Sequence, residues 1–177
     1  MRRVLLITFA SLLSLSILLP LGAVSVRADD LTPEQADHIK ANCVSIKSSL
    51  SQLHASDALL RVNRGQMYES VGTKLMDTFN ARLANNQLDN KAMTTVTTSY
   101  RTTLDTFRTD YIAYEQKLAD TIRIDCTAQP NTFHNSLLQA RQLRQTVHGD
   151  VVKLGNAIDD YRSSVNGFLL NYERVSQ

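Results

Sequence analysis

Residues 133–175 read FHNSLLQARQLRQTVHGDVVKLGNAIDDYRSSVNGFLLNYERV, and the spacing of their apolar positions decides the fold. Phe133, Leu137, Ala140, Arg144, Val147, Val151, Leu154, Ile158, Tyr161, Val165, Phe168, Tyr172 and Val175 follow one another in alternating steps of four and three. Steps of that size return to one face of a helix. Sustained this long, they predict a helix over 132–175 that packs by coiled-coil-like knobs and holes against neighbouring helices. No stretch downstream of the apolar leader alternates with the period of two that a half-buried strand requires.

The preceding segment has the same rhythm. Met93, Val96, Tyr100, Leu104, Phe107, Tyr111, Tyr114, Leu118 and Ile122 predict a second helix over 90–126, ended by the turn at Ala128-Gln129-Pro130-Asn131. Upstream, Thr32-Pro33-Glu34-Gln35 combines a capping threonine, a proline at the first helical position and a glutamine that completes a capping box. From there Ile39, Cys43, Ile46, Leu50 and Leu53 lead to Asp57, Leu60, Arg64, Met67, Val71, Leu75, Phe79 and Leu83, a first helix over 32–84. Asn85 and Asn86 suit its C-terminus, and Asp89 or Asn90 suits the next cap. Short turns make successive helices neighbours, so the expected fold is all-α: an antiparallel bundle of three long amphipathic helices. A break near 54–57, with Ser56 or Asp57 as a new cap, is the four-helix alternative. The lack of glycine and proline between Ile46 and Arg64 favours the unbroken helix.

The first 28 residues stand apart from this bundle. Arg2 and Arg3 precede an uncharged run from Val4 to Val26, and Val26-Arg27-Ala28 suits a signal peptidase. The layout predicts a secretory signal cleaved after Ala28. Left uncleaved, residues 4–26 are long enough to anchor the chain in a membrane. The expected mature domain, 29–177, has 149 residues (177 minus 28). It loses three of the nineteen basic residues, so sixteen face seventeen acidic ones and the formal charge is −1. With no basic cluster in that part, nucleic acid is excluded as the expected partner.

Cys43 and Cys126 are the two cysteines, and in an exported chain they are expected to form one disulfide. Two buried free thiols are the rival reading. Hairpin arithmetic sets the pair about 7 Å apart along the bundle axis, within reach of a small slip.

The charges on the helical seams raise a different question. Arg144 interrupts the third seam, Asp57 and Arg64 interrupt the first, and Asp110 and Glu115 flank tyrosines of the second. The same arithmetic brings all five to one height. An unpaired buried charge costs several kcal/mol, so a polar layer is expected. In it Asp57 bridges Arg144 or Arg64, and Asp110 or Glu115 meets the other arginine. Such layers fix helix register and partner choice.

Signals for chemistry are sparse. His38, His54, His134 and His148 lack the Glu-x-x-His spacing of a bundle metal site and read as surface or rim histidines. There is no G-x-S-x-G, no H-E-x-x-H and no phosphate-binding glycine loop. No enzyme activity, metal or cofactor is expected. Thr95, Thr98, Thr102, Thr106 and Thr109 line up opposite the apolar face of the second helix. They form either a contact stripe for glycan, cell wall or protein, or an ordinary solvated face. Gly65 and Gly72, seven apart, are either sites of close helix approach or weak points of the helix, each costing about 1 kcal/mol relative to alanine.

SDALLRVNRGQMYESVGTKLMDTFNARLANN (56–86), continuing to IRIDC (122–126), resembles a group of uncharacterised exported helical proteins of candidate-phylum bacteria with reduced genomes. The resemblance implies an envelope or surface setting and carries over no activity and no site. Together these features predict an exported cell-surface protein with a binding or structural-spacer role. Its partner would be a protein or envelope component, with self-association through an unfilled groove. A secreted effector or inhibitor acting on another cell is the second expectation.

Overall fold

The computed structural model describes residues 31–175, and every regular element among them is helical. The signal sequence expected over 1–28 lies outside the described residues. Within them, no helix is long and apolar enough to cross a membrane. The first rod comprises α1 (Pro33–Ala41), α2 (Cys43–Ser70), a π-helical turn (Val71–Met76) and α3 (Asp77–Asn85). α4 (Lys91–Arg123) returns antiparallel to it, and α5 (Pro130–Val175) runs parallel to the first rod. The architecture is the expected all-α antiparallel bundle. α4 and α5 form its most extensive pairing, and α2 packs chiefly on α4.

The helix ends follow the local chemistry of the sequence. Thr32 accepts from the Gln35 amide at 3.3 Å, while the Gln35 side chain accepts from the Thr32 amide at 2.9 Å, closing the capping box. The first hairpin uses Gln87 in the left-handed region, at φ 57°. Asp89 caps α4 through the Lys91 amide at 3.1 Å. Asn90 instead donates across the hairpin to the Asn80 carbonyl at 2.9 Å. In the second turn Asp125 accepts from the amides of Thr127 and Ala128, at 2.9 and 3.2 Å. Pro130 then opens α5, where its missing N–H leaves no bond unmade.

The first rod is interrupted, but not near 54–57. Asp57 is turned inward and cannot cap a new helix there, so α2 passes through that segment without a break. The interruptions lie at Asn42 and at the π turn. The Asn42 side chain donates to the His38 carbonyl at 2.9 Å, at the end of α1 and directly before Cys43.

The first rod changes phase ahead of the π turn. Upstream of Asp57 the buried stripe follows the expected seam through Cys43, Ile46 and Leu50. Beyond it the stripe steps one residue on, to Arg61, Gly65, Tyr68, Gly72, Met76 and Asn80, and rejoins the expected seam at Leu83. The expected seam members Leu60, Met67 and Leu75 are left 48%, 49% and 57% exposed. A helix of 3.6 residues per turn drifts away from a strict heptad unless it supercoils. The wider π turn then adds a further residue per turn.

Tyrosine hydroxyls hold this irregular stretch. Tyr100 donates to the Tyr68 carbonyl at 2.7 Å, and Tyr161 to the Met76 carbonyl at 3.2 Å. Burial holds the Tyr100 phenol up at about 12, so it remains a donor across the physiological range. Tyr161 also donates to the Asn80 side chain at 2.9 Å, whose amide in turn donates to Thr97 at 2.9 Å.

The core divides into three along the bundle. At one end Cys43, Cys126 and Phe133 are packed with Ile39, Ile46 and Leu137. Tyr111, Tyr114, Leu118 and Ala140 fill the middle. The largest cluster, from Tyr68 and Met76 to Leu154 and Tyr161, fills the other end. The disulfide is formed, with Cα atoms 5.6 Å apart, and staples α2 to the segment between α4 and α5.

Candidate functional site

Asp57 is the chemical centre of the bundle's middle. Buried on α2, it accepts from Arg144 Nε at 2.9 Å and from Arg144 Nη2 at 3.3 Å. Tyr114 of α4 donates its hydroxyl to the same carboxylate at 2.7 Å. One acid therefore joins all three rods. Burial alone would raise the Asp57 pKa; hydrogen bonds from Arg144 and Tyr114 and the arginine's charge outweigh it and hold the carboxyl below its usual range. Hydrogen bonding to Asp57 raises Arg144 in return. Burial, then Asp57, pushes the Tyr114 phenol well above its ordinary value.

The remaining charges expected in this layer stand elsewhere. Arg64 lies on the exposed side of α2 and does not meet Asp57, because the buried stripe runs through Arg61 and Gly65 instead. Among the described residues Glu115 meets no arginine; its carboxylate is 3.9 Å from His54 Nε2. Asp110 faces another acid, Asp150 of α5. Asp150 is fully buried and accepts from Lys153 Nζ at 2.8 Å on one oxygen. Its other oxygen is buried without a donor unless Asp110 carries a proton. Burial first, then the bond and charge of Asp150, hold Asp110 above the usual carboxylate range.

Beside the Asp57 layer, α2 and α5 stand apart over a groove of about 420 Å³. Its floor is Tyr111 and Tyr114, its walls are Leu60, Val147 and Val151, and its rim carries Arg61, Arg64, Arg144 and His148. Arg61 sits over the Tyr111 ring, 5.1 Å from the centroid, a cation–π contact that fixes its guanidinium at the edge. Among the described residues Asp57 is the one carboxylate lining the groove, and it is already engaged. Three guanidiniums against one carboxylate leave the groove positive. The opposite seam, between the first rod and α4, is closed by Arg108–Glu69 and Arg101–Asp77 ion pairs.

The other candidates are less organised. Thr95, Thr98, Thr102, Thr106 and Thr109 are all exposed, and each hydroxyl donates to the carbonyl four residues back, at 3.0 to 3.2 Å. The stripe therefore displays methyl groups and lone pairs, with its donors already used. Among the described residues no three metal-ligating side chains converge. Of the histidines, His148 reaches the groove rim, and His54 and His134 each keep a buried ring nitrogen with no hydrogen bond among the described residues.

Two polar groups inside the bundle escape a reading by apolar spacing. Asn80, with Thr97 and Tyr161, forms a buried network around the π turn. Thr121 is fully buried and shares a 2.7 Å hydrogen bond with Ser136. The signal for Thr97 and Thr121 lay in their position, each four residues after a seam residue or its neighbour. Comparison with known protein families, with curated proteins and with solved structures returns no match for this chain.

Proposed function

We propose that this chain is an exported helical protein that acts at the cell surface or envelope by binding, or as a spacer, and not by catalysis. The Cys43–Cys126 bond is the observation that carries the setting, because such bonds persist outside reducing compartments. The layout of residues 1–28, a charged start followed by an apolar run, supports the same setting. The binding role rests on the groove between α2 and α5, where an apolar floor meets unneutralised positive charge. A secreted effector or inhibitor is the second reading, favoured by the same leader if it is cleaved.

Intact-mass spectrometry of the native protein from membrane and medium fractions, with and without reductant, tests this. A mass beginning at Asp29 in the medium supports a diffusible binder. A full-length mass confined to membranes supports a surface stalk. In either fraction reduction adds two hydrogens. A full-length, thiol-bearing protein in the cytosol would overturn the proposal.

A further inference from the structure

We propose that the groove between α2 and α5 docks an acidic amphipathic helix of a partner protein. This rests on the binding role above and names the surface and the partner's chemistry. Leu60, Arg64, Met67, Val71 and Leu75 keep the steps of four and three that mark a helix-packing seam, yet the bundle turns most of them to solvent. On α2 the groove itself is lined by Asp57, Leu60, Arg61 and Arg64; the row continues past it to Leu75, about 22 Å in all at 1.5 Å per residue. That length matches a partner helix and exceeds a small ligand. The groove is also partly open to solvent, whereas small-molecule sites enclose most of their ligand.

Parallel to this row, α5 presents Val147 and Val151 beside Leu60 and Arg64. Apolar knobs of an incoming helix would seat between the two walls, as in helix-in-groove recognition. The charges select among occupants. Arg64 has no carboxylate partner among the described residues, Arg61 is held over Tyr111, and Arg144 shares its single acid with Tyr114. A second copy of this chain meeting face to face would oppose arginine with arginine. A helix bearing Glu or Asp beside its apolar row would neutralise them. Complementary flanking charges of this kind set partner choice in helical packing.

The test uses a fluorescent three-heptad peptide with Leu at the core positions and Glu at the flanking ones, and its Lys counterpart. Both are titrated by anisotropy into the native oxidised protein. The Glu peptide is expected to bind with micromolar affinity, weakening as salt rises, and the Lys peptide is not. Arg61→Glu with Arg64→Glu should weaken the Glu peptide at least tenfold and admit the Lys peptide; circular dichroism checks that the helices persist. Met67→Glu, which leaves the arginines in place, should also weaken the Glu peptide. Equal binding of both peptides, no binding of either, indifference to these substitutions, or a dimer in sedimentation that Met67→Glu dissolves would each overturn the proposal. Export is read by fractionation and docking by titration, so failure of one is distinct from failure of the other.

Discussion

The ring of Tyr100 passes 3.4 Å from the point where a side chain on Gly72 would begin. That approach lets the Tyr100 hydroxyl reach the Tyr68 carbonyl at the edge of the π turn. Gly65, one heptad earlier, meets nothing within 4 Å, so the two glycines on this rod have different reasons to be there.

Substitution separates them. Gly72→Leu should drive a side chain into the Tyr100 ring and cost about 2–3 kcal/mol by overpacking. Gly65→Ala fills open space in a helix interior and should raise stability by up to about 1 kcal/mol. Urea denaturation of both variants measures the contrast. Equal effects at the two positions would show that Gly72 is not a contact point.

The Asp57–Arg144 pair joins residues 87 apart in sequence, and a double-mutant cycle measures what it contributes. Asp57→Leu strips three donors of their acceptor and leaves the Tyr114 hydroxyl buried, an expected loss of about 2–3 kcal/mol. Arg144→Leu should cost less, about 1–2 kcal/mol, because its side chain is 53% exposed and solvent screens the pair. The double variant should fall short of the sum by about 1 kcal/mol. Additive losses would mean that the layer is not coupled.

Most of this architecture was legible in the sequence because α4 and α5 keep their seams through most of their length, with Arg144 the charged interruption and Tyr172 exposed near the end of α5. Phe133, Ala140, Leu154 and Tyr161 are all buried where the steps of four and three put them, and so are Met93, Tyr100, Phe107 and Leu118. The first rod was harder. Its expected seam alternates four and three only as far as Val71, and a straight helix leaves a heptad stripe progressively, so the shift is already present at Arg61, ahead of the π turn. Reading Arg64 into the polar layer failed for that reason. Asp110 was missed differently: counting charges at one height cannot tell which side of a helix faces an acid on the next.

Reduction of Cys43–Cys126 should destabilise the chain by about 4 kcal/mol at the upper end, since the bond closes a sequence separation of 83 residues. The Cys43→Ser, Cys126→Ser double variant should match the reduced protein. Hydrogen exchange should locate the change, with α1 and the start of α2 losing protection first. The small end cluster there depends on the staple, whereas the large Tyr68–Tyr161 cluster lies at the far end. Uniform loss of protection along the bundle would mean that the two ends unfold as one.

Asp57 and Asp110 are shifted in opposite directions, so they leave opposite marks on stability as pH changes. Asp57, below its usual value, faces Arg144, Tyr114 and His54. Its stabilisation is complete above the unfolded pKa of about 3.9 and is lost as pH falls through the lower folded value. Asp110, above its usual value, faces Asp150 with Lys153 nearby. Its contribution is complete below about 3.9, where it carries a proton in both states, and is lost as pH rises through the raised folded value. Asp57→Asn should therefore lower stability at neutral pH and make the acid limb shallower. Asp110→Asn should raise stability at neutral pH, because an amide can donate to the orphaned Asp150 oxygen and removes a like charge. That advantage should vanish below about pH 4, where the wild-type carboxyl is itself a donor. Urea titrations at intervals from pH 3 to 8 measure both curves. If Asp110→Asn follows the wild type throughout, the two acids do not share a proton, and the buried Asp150 oxygen is satisfied from elsewhere.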